Sequence, residues 1–170
     1  MILNVALKLD SAYPSAEQRA EIENYQATVK SRRAALDEVR EVYPAVARDT
    51  VEQIRKMYPQ FQRYHAQGFD KGVRDIELVT CMTANAMFLG EHETLDDMFT
   101  QWYWSILKAL HISPQFMRDT FQQWRAALKA HLSEEAFLLM RPYAEHMSEK
   151  LSDLPVPVRD ESGPREPAVN

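Results

Sequence analysis

The chain has 170 residues, with 20 Lys and Arg against 25 Asp and Glu, and a single cysteine, Cys81. That length fits one domain with a real core, and the mildly acidic balance argues against a nucleic-acid binder, which needs a basic surface. A lone cysteine excludes an intrachain disulfide and suits a reducing setting.

Only 4 glycines, among many Ala, Leu, Glu, Gln, Arg and Met, favour helix over sheet. Residues 1–13 are ambiguous: Leu3, Val5, Leu7 and Leu9 alternate as in a strand, but no partner strand follows, so a short docking segment is expected. The same stretch lacks the basic start and long apolar run of a signal peptide, and no segment reaches the roughly 20 apolar residues of a membrane span. A cytoplasmic protein with no membrane insertion is expected.

Ser15 followed by Gln18 has the form of a capping box. The helix after it carries Ile22, Tyr25, Val29, Leu36, Val39 and Tyr43 on one face, interrupted by Arg32–Arg33, until Pro44 should end or kink it. A second run, Val46, Val51, Ile54, Met57 and Tyr58, reaches Pro59, and residues 59–70 read as a loop. The central stretch 71–90 has Val73, Ile76, Val79, Met82, Ala86 and Leu89 on one face. Leu78, Cys81, Met87 and Phe88 lie on others, a pattern expected of a helix sandwiched inside a bundle. Gly90 supplies its stop.

Beyond Gly90, Thr94 is placed to cap a helix bearing Leu95, Met98, Phe99, Trp102, Ile106, Ala109 and Leu110, with Asp96 and Asp97 in its first turn. Ser113–Pro114 marks a new start, and Met117, Phe121, Trp124, Leu128 and Leu132 follow at helical spacing. Ser133 caps the last helix, with Ala136, Met140, Tyr143, Met147 and Leu151 on one face and Pro142 expected to kink it or break a hydrogen bond. Residues 152–170 form a Pro-rich tail expected to be flexible. About six helices with short connections predict an all-α, globin-like packing, with one core drawing on Ile76, Val79, Met82, Met117, Phe121, Trp124, Met140 and Tyr143.

Chemistry is sparse. None of the histidines, His65, His92, His111, His131 and His146, forms a close metal-binding pair. Ile106, Leu107 and Lys108 occupy the neighbourhood where a haem globin needs its ligand, so haem is not expected. Cys81 in an apolar run reads as a small buried hydrophobe rather than a nucleophile. Trp102, Tyr103 and Trp104 sit about 100° apart on a helix, so at least one points outward, either as a stray exposed aromatic or as a pigment or partner surface. Glu134–Glu135 and Asp96–Asp97 are explained by helix starts, and no paired-carboxylate or Ser/His/Asp set can be located; no enzyme is expected.

The stretch VRDIELVTCMTANAMFLGE resembles the phycobiliproteins, the bilin-carrying antenna subunits of phycobilisomes, whose central helix carries C-x-R-D and ends in a glycine and an acid. Thr94-Leu-Asp-Asp, the ALHISP corner and the upstream helices with paired arginines extend the likeness over about residues 11–150. The resemblance implies a globin-like domain over 1–151, with a helical extension at about 11–43 that pairs subunits as a homo- or hetero-dimer, a related antenna subunit being one candidate partner. It implies that Arg74 holds a tetrapyrrole propionate and Asp75 accepts from pyrrole N–H groups, with Trp102 or Trp104 walling the pigment. Gly72 stands where the family has its attachment cysteine, and Cys81 lies about 13 Å further along a helix. The expected function is therefore non-covalent bilin binding, or a pigment-free antenna partner in light harvesting. The competing reading is a haem-free globin-fold sensor or regulatory module, and Arg74–Asp75 also suits an ordinary solvated helix start.

Overall fold

The computed structural model of the protein describes residues 13–60, 67–110 and 112–152. The expected docking segment, most of the 59–70 loop with His65, His111 and the tail beyond Ser152 lie outside the described residues. Among the described residues there are five helices and no strand, an all-α, globin-like fold.

Helix α1 spans Ala16–Met57. The capping box forms as the sequence requires: Gln18 N–H donates to Ser15 Oγ at 3.1 Å, and Ser15 N–H donates to Gln18 Oε1 at 2.8 Å. The break expected at Pro44 does not occur, which is why five helices stand where six were expected. Proline removes one backbone bond and crowds the Arg40 carbonyl. Pro44 and Arg40 both face solvent, where water can take up that carbonyl, while Val39, Val46, Ala47, Thr50, Val51 and Ile54 bury a continuous stripe on the other side. Each valine and isoleucine of that stripe contributes about 1.5–3 kcal/mol on full burial, enough to carry the helix through one weakened turn.

Helix α2 spans Gly68–Leu89 and begins earlier than the sequence pattern suggested. It buries Ile76, Val79, Thr80, Thr83, Ala84, Ala86 and Met87, whereas Leu78 is 39% exposed, so the expected all-round burial is reduced to one broad face. Thr80 and Thr83 are tolerated inside because each hydroxyl donates to the carbonyl four residues back, at 2.7 Å. Gly90 ends the helix with φ 77°, its N–H bonded to Ala86 and Met87 carbonyls. A Cβ there would also lie 3.1 Å from Arg32 Nη1, so backbone sign and space both ask for glycine.

Helix α3 covers residues 93–109: α-helical over Glu93–Leu95, a π turn over Asp96–Thr100, then α-helical over Gln101–Ala109. It starts at Glu93 with His92 as an N-cap that makes no side-chain bond, not at Thr94 as expected. The π turn also changes which face is buried. Steps of four advance by about 40° in a pure α-helix, so a stripe at 95, 99, 103, 107 should rotate away from the core. A wider turn slows that rotation, and Leu95, Phe99, Tyr103 and Leu107 stay buried together. Trp102, Ile106 and Leu110, read from sequence among the apolar residues of this helix, are 55%, 37% and 65% exposed, and Trp102 is the aromatic that points outward.

Helices α4, Pro114–His131, and α5, Glu134–Ser152, complete the fold. Ser113 Oγ accepts from Phe116 N–H at 3.1 Å and Ser133 Oγ from Ala136 N–H at 3.2 Å, the caps read from the sequence. Helix α5 continues through Pro142, which faces solvent like Pro44. Helix α1 packs on α2, α4 and α5, and α5 on α2 and α4, with Phe121, Trp124, Met140 and Met147 at the centre. Trp124 Nε1 donates to Thr80 Oγ1 at 2.9 Å, so the buried indole has a partner and fixes α4 against α2. Of the eight expected core residues seven are buried, and Met82 is half-buried against their edge.

Candidate functional site

The first turns of α2 put Gly72, Val73, Arg74 and Asp75 on successive faces. Arg74 and Asp75 both reach solvent, but Asp75 keeps protein on one side. That partial burial pushes its carboxyl above the ordinary carboxylate range, against the opposing pull of Arg74 and Lys71. The aromatic group near enough to feel the Asp75 charge is Tyr103 of α3. It is buried, and its hydroxyl is pushed far above the usual phenol range first by burial and then by the charge of Asp75. Its ring stacks on Phe99 with centroids 5.1 Å apart.

The two tryptophans take different sides of that tyrosine. Trp102 is exposed, with its ring 6.1 Å from Phe99 and 6.3 Å from Tyr103. Trp104 is half-buried, carries Lys108 Nζ 5.0 Å from its ring centre, and lines a recess with Asp96, Thr100, Glu149 and Lys150. Neither Arg74 nor Asp75 lines that recess. The geometry therefore groups Arg74, Asp75 and Tyr103, with Trp102 alongside Tyr103, and separates Trp104. Tyr103 is the residue that sequence reasoning missed. The available signal was the spacing 95, 99, 103, 107, and the competing apolar series through Trp102 and Leu110 hid it.

With an all-α fold, a charged pair on the second turn of the central helix and an aromatic helix beside it, one comparison decides the class. Residues 5–151 match the sequence model of the phycobilisome protein family. The chain belongs to the phycobilisome protein family. No curated protein matches it. Phycobilisome proteins are light-harvesting, pigment-carrying structural proteins rather than enzymes; they normally hold bilins and assemble with related subunits.

The other candidates fall to structural duties in this phycobilisome family member. Cys81 is half-buried; burial and Glu77 push its thiol up, with Arg40 opposing, the reverse of what a reactive thiol needs. His131 Nε2 meets Asp49 at 2.6 Å and His146 Nε2 meets Asp96 at 2.9 Å. Asp96, read from sequence as a helix-start charge, thus ties α3 to α5, helped by Lys150 at 3.5 Å. No group of three or more His, Cys, Asp or Glu among the described residues is arranged to hold a metal ion. No helix among them is long and apolar enough to cross a membrane.

Proposed function

We propose that this phycobilisome family protein binds a linear tetrapyrrole without a covalent bond, on the first turns of α2. Arg74 takes a propionate through its planar fork of donors, Asp75 accepts from pyrrole N–H groups, and exposed Trp102 walls one side. The observation that carries this reading is the adjacency of Arg74 and Asp75, both solvent-facing on the second turn of α2, to the aromatic pair Tyr103 and Trp102 of α3. Partial desolvation, which raises the Asp75 carboxyl, agrees with it. Its neighbour Tyr103 offers an apolar aromatic floor, and Gly72 leaves no thiol for the family's usual thioether. A bilin held there would supply the visible absorption; the protein would orient it and fix its protonation.

The test is an absorption titration of the purified chain with free bilin. Asp75→Ala and Arg74→Ala should each weaken binding by about tenfold or more, because each removes a charge-assisted bond. Asp75→Ala should also shift the spectrum, Cys81→Ser should change neither, and acid denaturation should release all pigment. Binding indifferent to Arg74 and Asp75, or pigment retained through acid, sinks the proposal and leaves a pigment-free assembly partner.

A further inference from the structure

On the face formed by α4 and α5, away from α2, lies a recess of about 240 Å³ whose rim is cationic. Arg125 and Lys129 stand one turn apart on α4, and Arg141 faces them from α5. One carboxylate, Glu145, is present, and Arg141 Nε reaches it only at 4.0 Å. Three fixed cations against one anion make a local positive surplus on a chain whose net charge is −5. Arg125 Nε is buried and has no hydrogen-bond partner. A guanidinium stays charged at any accessible pH, so a buried N–H of that group calls for an acceptor. The remaining lining is apolar: buried Ala144 and half-buried Phe137, with exposed Ala126 at the rim, small residues at two of the three positions leaving the concavity open.

We infer that this recess is a binding site for a small anion with an apolar body, an aryl phosphate or aryl carboxylate. The anionic group accepts from Arg125, with Lys129 and Arg141 flanking it, and the ring lies on Phe137 between the two alanines. A guanidinium offers paired donors to phosphate or carboxylate oxygens, which point charges do not. The volume sits below the roughly 300–1,000 Å³ of drug-sized pockets, so the ligand is no larger than one or two rings. This site is independent of Arg74 and Asp75 and does not rest on the pigment reading.

Calorimetric titration of the full chain with 1-naphthyl phosphate, 1-naphthoate and inorganic phosphate tests it. Both naphthyl anions should bind, about tenfold or more tighter than inorganic phosphate, and should weaken as salt is added. Arg125→Gln should lose about tenfold or more by removing the charge-assisted bond. Ala126→Phe should abolish binding of the naphthyl anions by obstructing the mouth of the concavity while leaving every cation in place. Arg48→Gln, at an exposed arginine on α1, should change nothing. Equal affinity in the native chain, Arg125→Gln and Ala126→Phe overturns the inference, as does naphthyl binding no tighter than inorganic phosphate or absence of binding at millimolar ligand.

Discussion

The two halves of α1 are one helix with similar apolar spacing, yet they meet different fates. Past Ala35 the stripe Val39, Val46, Ala47, Thr50, Val51 and Ile54 is buried against α2, α4 and α5. Before Ala35 no side chain of the helix is fully buried: Ile22, Tyr25 and Val29 are half-buried. Periodicity reports that a helix has an apolar face; it does not report what covers it. In a family whose members assemble with related subunits, this less buried half is the part we propose to dock a second chain, with roughly 25 cal/mol per Å² of whatever apolar area it still exposes available before association costs.

The sharpest way to break the contrast is to place one charge in each half. Val46→Asp buries a carboxylate with no partner, and should lower stability by more than about 4 kcal/mol, close to the whole margin of an ordinary domain. Val29→Asp should leave urea unfolding of the isolated chain within about 0.5 kcal/mol of native. It should instead reduce association seen by light scattering at high concentration. A strict monomer at every concentration in the native chain, with no partner recovered on co-purification, removes the docking role from the first half.

The junction between the halves is Arg32. Its Nε donates to Thr28 Oγ1 at 3.1 Å, and its Nη1 donates to the Met87 carbonyl and to Tyr143 Oη, the latter at 3.1 Å. One side chain thus ties α1 to the end of α2 and to α5. Arg32→Met keeps the stem but strands the carbonyl and the hydroxyl, so a loss of about 1–3 kcal/mol in chemical denaturation is expected. A loss confined to association, with native stability, would instead place Arg32 with the less buried half.

Pro44 lies within the covered half and should respond more mildly. Pro44→Ala restores a hydrogen bond to the Arg40 carbonyl, and a gain of about 1 kcal/mol is expected, part of it offset by greater freedom of the unfolded chain. Measured destabilisation would show that the turn is built around the proline ring.

Much of the fold was legible because caps and periodicity are local. Ser15–Gln18, Ser113–Pro114, Ser133 and Gly90 mark boundaries through bonds made within a few residues, and all four act as read. Pro44 misled because its effect depends on whether the helix face around it meets water, a tertiary property. Thr94 misled because the helix already begins at Glu93, and the buried series 95, 99, 103, 107 was hidden because a π turn holds it on one face and nothing in Asp96–Thr100 announces one. Of the candidate site, Arg74 and Asp75 were visible as a charged pair ahead of an apolar run. Tyr103 was not, since its role needs α3 placed beside α2. The cationic recess needs residues from two helices brought face to face, which neither helix's sequence displays alone.

The smallest expected effect is a pH dependence at the corner that closes on Arg32. His92 stacks on Tyr143 with ring centres 4.4 Å apart and lies 4.7 Å from His146. Its Nδ1 is buried without a partner. Burial, then the neighbouring His146, hold its pKa below the usual 6.5, with Asp96 opposing. Arg32, bonded to Tyr143, and Lys150, beside Asp96, add positive charge around the corner. Because the folded pKa is the lower one, the unfolded chain binds the proton first. Stability should then be constant with respect to this group above about pH 6.5 and should fall as pH drops from there through the folded pKa. Thermal unfolding followed from pH 7.5 to 5 should show Tm declining in that window, and His92→Phe, which keeps the stacking but not the proton site, should flatten the decline. An equal slope in His92→Phe would assign the acid sensitivity to other groups and leave the corner a packing feature. Since Arg32 and Tyr143 join this corner to α1, acid should loosen the junction before the buried half, seen as earlier exchange of amides near residues 28–34 than near 46–54.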